Sequence, residues 1–401
     1  MNSEGRDRIV LLALWLLILG STSQVMIVAP ILPRIGEELS IAPALRGTLV
    51  TGFALAMSVF ALVIGPISDR FGRRPVLLVG TGALTGALLL HPLAFDYASM
   101  LAVRIAAGTA AGLLTGSAIS YVGDYFPYHR RGWATGWVMS GFAVGQVVAI
   151  PAGTLLADRY GFHSPFVAFA AVMAASFVLI LVALPQPQVA RSSDRLSLGS
   201  ALRTYAGLVR QREILGASLA YATMFFAVSS FVVYFPTWAE TSLGMDAQDI
   251  ALLFVVGGIA SVVSGPQAGR LSDRLGRKPL IIVSCVGTAV LFAAATFTVS
   301  GAVGAYVLMF VAMILLAMRL SPFQALLTAL VEDRQRGSLM SLVVAVGQVG
   351  GGIGAALAGP VYAEQGFMGC TILGAIAILG TGALVATHLP EPRLTPTAPM
   401  G

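Results

Sequence analysis

The chain has 401 residues, and 10% of them are Asp, Glu, Lys or Arg, against about 25% in an ordinary soluble protein. Apolar residues make up 57% before the 45 glycines are counted, and the mean hydropathy is +0.86. One water-soluble core cannot hide that much apolar surface, which excludes a soluble enzyme or nucleic-acid-binding domain. The net charge of +6 must therefore be explained by where the basic residues stand.

From the N-terminus, Met1 to Arg8 is short and polar, and the apolar run from Ile9 continues past Leu32. That is longer than a signal-peptide core of about 7–15 residues, so it reads as a first membrane span rather than a cleaved leader. A span needs about 20 mostly apolar residues. Twelve such segments follow one another, near 9–32, 47–67, 75–95, 99–122, 133–157, 164–184, 214–237, 248–268, 279–299, 303–330, 337–362 and 367–388. The connections are short except for 185–213, a polar stretch carrying Arg191, Arg195, Arg203, Arg210 and Arg212, with a short surface helix expected near 198–210. The expected organisation is an N-terminal six-helix bundle over 1–184, a cytoplasmic linker over 185–213 and a C-terminal six-helix bundle over 214–401. Cys285 and Cys370 lie in apolar stretches and offer neither a disulfide framework nor metal-ligand spacing.

Basic residues favour the cytoplasmic side of a membrane. With the N-terminus inside, nineteen of the 24 fall on the cytoplasmic side, three (Arg34, Arg46 and Arg159) outside, and two (Arg104 and Arg319) within spans. Both termini are then cytoplasmic, and the basic pI of about 9.6 is a consequence of topology rather than of nucleic-acid binding. The chain also repeats itself. GPISDRFGRRP at 65–75 matches GRLSDRLGRKP at 269–279, an offset of 204. Arg131-Gly132 matches Arg336-Gly337, Gly145 matches Gly350, and Gly161-Phe162 matches Gly366-Phe367, an offset of 205. Two separate segments at nearly one offset predict two like-folded halves in the same orientation, each divisible into inverted three-helix repeats.

These residues resemble the major facilitator superfamily. Gly65, Ser68, Asp69, Arg70, Gly72, Arg73 and Arg74 look like that family's signature loop between helices 2 and 3. Asp273, Arg274, Gly276 and Arg277 form the copy between helices 8 and 9. Arg104 with Gly108 and Gly112 resembles the family's fourth-helix arginine motif. Gly141, Gly145, Pro151 and Gly153 resemble a degenerate antiporter motif in helix 5, with Gln146 where the fuller form has proline. The subgroup most resembled is the twelve-helix drug:proton antiporters. The resemblance implies an all-α integral membrane fold of twelve helices in two pseudo-symmetric six-helix bundles. It also implies that helices 1, 4, 7 and 10 line a central cavity.

An ionisable side chain inside a span is a functional candidate because it is costly there. Arg104 and Arg319 are the two candidates, and their guanidinium forks suit a carboxylate or phosphate. Gln24, Tyr221, Tyr234 and Gln324 are the polar residues expected beside them, although packing or ordinary interhelix bonding accounts better for the tyrosines and Gln24. All 18 acidic residues stand in loops or at helix ends, so an embedded carboxylate for trading a proton against a cation is missing. Proton coupling would then use a peripheral group such as Asp69, Asp124, Asp273, Asp96 or Glu240, or a proton carried on the substrate. Asp124 before Arg131, and Glu332-Asp333 before Arg336, stand at equivalent inner ends and are expected to pair with signature-loop arginines as gates.

Phosphate-binding and HExxH patterns and Cys/His clusters are missing, so no cofactor, metal or enzymatic activity is expected. The expectation is a monomeric secondary transporter of the bacterial inner membrane. It works by alternating access, exporting a small organic solute or drug, and its expected partners are that small-molecule substrate, protons and the lipid bilayer, with no nucleic acid. Alternatives are an importer or facilitator of a small organic anion, and a non-transporting sensor or lipid-handling protein. Asp69→Asn is predicted to cut transport sharply with membrane insertion intact, checked by flux beside membrane-fraction yield; normal flux would remove the gate role.

Overall fold

The structure, a computed structural model, describes residues 3–114, 116–186, 198–331 and 336–390. Lipid offers backbone N–H and C=O groups no partners, so the chain closes its hydrogen bonds inside helices. Spanning helices are the outcome. α1 is Ser3–Met26, continued by Val28–Glu38; α2 is Thr48–Phe71, preceded by the short turn Pro43–Arg46. α3 is Arg73–Leu90, and α4 is Tyr97–Leu114 continued by Ser117–Tyr125. α5 runs Tyr128–Val144, passes through a π-turn at Gly145–Ala149, and resumes as Ile150–Tyr160. α6 is Ser164–Ala183, and the linker carries a helix at Leu198–Val209.

α7 is Arg212–Val232 continued by Phe235–Leu243, α8 is Ala247–Leu275, α9 is Arg277–Thr298, and α10 is Gly301–Ala329. The last helical stretch, Arg336–His388, is too long for one crossing and turns back at Gly366, where φ is 67°. α11 is therefore 336–365 and α12 is 367–388, which makes twelve spans. Hydroxyls within the spans are largely satisfied by their own helix. Thr22 donates to the Ile18 carbonyl at 2.6 Å, Ser58 to Ala54 at 2.7 Å and Thr288 to Ser284 at 2.8 Å.

The sequence repeat is a structural repeat. Gly72 and Gly276, which end α2 and α8, have φ of 98° and 94°; Gly161 and Gly366, which end α5 and α11, have 85° and 67°. An L side chain resists that region, which explains why glycine stands at all four turns. The interruption of α1 at Ile27 and that of α7 at Val233 and Tyr234 lie half a chain apart, near the same offset, and each precedes a proline (Pro30 and Pro236) that lacks an N–H. In the first bundle α1 packs on α5 and α6, α2 on α4, and α3 on α4 and α6; in the second α7 packs on α11 and α12, and α8 on α10.

Glycine ridges set these approaches. A Cβ on Gly108 would overlap the Phe53 carbonyl of α2, and one on Gly112 would sit 2.7 Å from the Met57 carbonyl. In the second bundle a Cβ on Gly350 would overlap the Ala222 carbonyl of α7, whereas Gly380 faces open space. Gly350→Ala is predicted to lower stability by about 1–3 kcal/mol through overpacking, while Gly380→Ala leaves it unchanged or raised. Paired thermal unfolding of the two variants in detergent checks this.

Candidate functional site

The end of the molecule where α1 begins and α6 and α12 end is the terminal face; the other is the far face. On α4, the glycine ridge that seats the helix against α2 also lays the Arg104 guanidinium over the Phe53 ring, 4.4 Å from its centroid. Arg104 is 1% exposed, and its Nη1 donates to Gln24 Oε1 of α1 at 3.3 Å. Gln24 is completely buried and returns its own amide to the Ser21 carbonyl at 3.3 Å. The Nε of Arg104 and the hydroxyl of neighbouring Ser23 are buried with no partner.

Arg319, also 1% exposed, lies in the other bundle and turns toward α9. Its Nη1 donates to Thr288 Oγ1 at 2.8 Å and to Ser284 Oγ at 3.4 Å, and its Nε is unpartnered. The two guanidinium groups thus sit in separate helix packets, Arg104 against α1 and α2, Arg319 against α9. Neither makes an ion pair among the described residues, and each rests on neutral oxygens.

The two tyrosines do different things. Tyr221 packs between Phe225 and Phe323, with ring centroids 4.9 and 5.6 Å away, and hydrogen-bonds Gln324 of α10, which is exposed. Tyr234, at the interruption of α7, is fully buried and crosses between the bundles. Its hydroxyl donates to the Pro43 carbonyl at 2.8 Å and accepts from the Gly47 N–H at 3.0 Å, while its ring stacks on Tyr362 at 5.0 Å.

Tyr234 belongs to a seam that closes the far face. Thr51 of α2 donates to the Gly352 carbonyl of α11 at 2.6 Å. A Cβ on Gly47 would overlap the Ala355 carbonyl, and one on Gly359 would overlap that of Ala44. Across the molecule, α8 meets α5 over Gly145–Tyr160 rather than over Tyr128–Val144, with Gly258 against Val147 and the Gln146 backbone. The bundles are joined toward the far face along this second seam and part toward the terminal face.

The helix 5 glycines serve this geometry: Gly141 faces the Trp15 carbonyl, Gly145 the Ser23 hydroxyl and Gly153 the Ile27 side chain, all on α1. Pro151 supplies no N–H to the preceding turn, and α5 answers with the π-turn at Gly145–Ala149. The Gln146 amide finds there a methionine sulfur, Met26 Sδ, at 3.9 Å.

At the terminal face Arg73 grips Asp124 at 2.7 Å and the Ser68 hydroxyl at 3.1 Å, tying the signature loop to the end of α4 within one bundle. Arg131 donates to the Phe126 carbonyl, and Arg277 to that of Ala325. Arg70, Asp273 and Arg274 are exposed. The surroundings of Gly65, the side chains of Asp69 and Arg336, and residues Glu332 and Asp333 lie outside what the structure describes. Asp96 caps α4, where hydrogen bonds from the Ser99 hydroxyl and N–H hold its carboxyl below the usual range.

Sequence reasoning did not find the far-face seam or the cavity beside it. That cavity holds about 250 Å³ between Arg34, Glu37 and Asp158 of the first bundle and Glu240 of the second. Arg34 is committed to Asp158 at 3.0 Å and, more loosely, to Glu38 at 3.8 Å. The glycines clustered over 350–359 were the available signal for the seam.

Two helix bundles closed at one membrane face and parting toward the other define a membrane transport protein. The Major Facilitator Superfamily model matches residues 14–355 and 218–400, and the chain belongs to that family. It is 26% identical over 356 residues to the uncharacterized MFS-type transporter YceJ of Bacillus subtilis (strain 168), covering 88% of this chain and 89% of that one. It is 24% identical over 269 residues to the multidrug resistance protein MdtG of Klebsiella pneumoniae (strain 342), covering 65% and 64%. It is 21% identical over 374 residues to the hexuronate transporter of Bacillus subtilis (strain 168), covering 88% of each. Its backbone superposes on the crystal structure of a D-xylose-proton symporter with a TM-score of 0.76 at 16% identity, over 97% of this chain and 99% of that one.

Tyr234→Phe deletes the hydroxyl that bridges the bundles, a hydrogen-bonding loss of about 1 kcal/mol or roughly fivefold in population. With Cys285 and Cys370 replaced, an Ala54→Cys probe buried beneath the seam should label about fivefold faster with an impermeant maleimide once Tyr234 is Phe. Unchanged labelling would remove Tyr234 from the gate.

Proposed function

We propose that the protein is a proton-coupled exporter of a small organic solute, working by alternating access across the bacterial inner membrane with both termini cytoplasmic. The observation that carries this reading is the asymmetry of the closure. Tyr234, Thr51 and the glycines of α2 and α11 seal the far face by backbone-level contact, while α5 and α8 part toward the terminal face. A duplicated bundle joined at one end is suited to rocking about its middle. Export, rather than mere passage, is supported by the likeness to MdtG, whose name is that of a multidrug resistance protein. The positive-inside distribution supports a cytoplasmic terminal face.

The charges inside the bundles bear on the substrate. Among the described residues Arg104 and Arg319 stand without carboxylates, and no acidic side chain is buried beside them. A bundle of that electrostatic sign favours neutral or anionic solutes over cations. In the proposed cycle Arg104, Gln24, Tyr221, Gln324 and Arg319 order the cavity walls, and the Arg73–Asp124 pair steadies the signature loop as the bundles tilt. Import of an organic anion is the second reading. It is favoured by the same two guanidinium groups and by the likeness to a hexuronate transporter.

Inside-out vesicles separate the two. Given a panel of lipophilic drugs and hexuronates, an acid-inside gradient is predicted to drive accumulation of at least one drug, and collapsing the gradient to abolish it. Accumulation indifferent to the gradient would contradict proton coupling, and hexuronate uptake confined to right-side-out vesicles would favour import. Arg319→Ala should lose ligand-induced thermal stabilisation more than it loses membrane yield; unchanged stabilisation assigns Arg319 to structure alone.

A further inference from the structure

The outer surface of the first bundle carries a groove apart from the residues described above. It lies between α2, α3 and α4 at the terminal face, holds about 240 Å³, and is lined by apolar side chains including Ile64, Ile67, Phe71, Pro75, Val79 and Leu113. From Ile64 to Phe71 it extends about 10 Å along the helix axis, at about 1.5 Å per residue. Its walls face outward, with Phe71 55% and Val79 63% exposed. A groove of this shape in the lipid-facing belt accepts a hydrocarbon chain lying along the membrane normal.

What distinguishes it from the rest of the belt is the cation at its rim. Arg70 is exposed, and its guanidinium stands 5.8 Å from the centroid of Phe71, a wall of the groove. Its neighbours are committed: Arg73 holds Asp124 and Ser68, and Arg74 donates to the carbonyls of Leu181 at 2.7 Å and Ile180 at 3.5 Å. Arg70 makes no ion pair among the described residues. A guanidinium at the headgroup level beside an apolar slot, without an ion pair among the described residues, is complementary to a lipid whose head carries a phosphate anion.

We propose that this groove binds one anionic phospholipid of the leaflet at the terminal face, with its phosphate on Arg70 and an acyl chain along Phe71, Pro75 and Val79. Because Phe71 ends α2 and Pro75 begins α3, the lipid bridges both sides of the Gly72 turn and steadies the signature loop from outside. Arg274, which stands at the position of Arg70 in the repeat, provides the internal control.

The test titrates the purified full-length protein, in mild detergent, with phosphatidylglycerol, phosphatidylcholine or soluble glycerol 3-phosphate, and reads the thermal midpoint and the half-saturating concentration. Phosphatidylglycerol should raise the midpoint, phosphatidylcholine should do so less, and glycerol 3-phosphate should have no effect. Arg70→Gln should weaken the phosphatidylglycerol response about fivefold, the share of one arginine at an anionic surface, while Arg274→Gln retains it. Val79→Trp, which fills the groove and leaves every charge in place, should abolish the response and serves where Arg70→Gln fails to fold. Equal responses to the two lipids, a response to glycerol 3-phosphate alone, or a full response in either groove variant would overturn the proposal.

Discussion

The structure depends on backbone meeting backbone between helices that have no hydrophobic drive to associate. In lipid, apolar side chains gain nothing by leaving one apolar neighbour for another, so helices hold together through close contact and a few polar bonds. The glycines at 47 and 359 let the start of α2 and α11 approach until carbonyls stand where side chains would be, Gly352 packs against Ala54 and Thr51, and the bonds of Thr51 and Tyr234 fix that approach. Such a seam is tight, made of a few individually modest hydrogen bonds, and confined to one end. Those are the properties a gate needs, because closing it orders little and opening it leaves few polar groups stranded.

The buried guanidinium groups show the opposite economy. A charge at bilayer depth is costly by several kcal/mol even when water or a counter-ion relieves part of it. Arg104 recovers some of this from the Phe53 ring, a desolvated cation–π contact worth about 2 kcal/mol, and some from Gln24. Arg319 has two hydroxyls. In both, Nε remains unsatisfied. Groups held at such a deficit respond strongly to an arriving anion, which is why substrate charge is the property the proposed cavity is expected to read.

Much of the fold was legible in the sequence because a membrane imposes long, uniform signals. Twelve apolar runs gave twelve spans, and the duplicated loop at Gly72 and Gly276 marked turns that share a left-handed backbone. The exception in counting, the unbroken helical stretch over Arg336–His388, is resolved by Gly366, which the repeat had already paired with Gly161. The local chemistry was less legible. Tyr234 read as a cavity residue by helix number, yet the break at Val233 turns its hydroxyl onto the other bundle. Arg104 and Arg319 read as the two charged candidates for one cavity, yet each is buried among neighbours of its own bundle. Span and depth are written in composition, whereas azimuth is set by glycine ridges and proline breaks whose partners lie far away in the chain.

The central claim is that the bundles tilt as units, so that one face closes as the other opens. Pulsed electron–electron distance measurements on two spin-label pairs test it without a known substrate. One pair, Leu45 and Leu357, spans the far face; the other, Phe71 and Leu275, spans the terminal face, and all four positions are exposed. Across a range of pH each pair is predicted to show two distances whose populations trade inversely, short at the far face whenever long at the terminal face. A single fixed distance at either face, or both pairs lengthening together, would contradict the account.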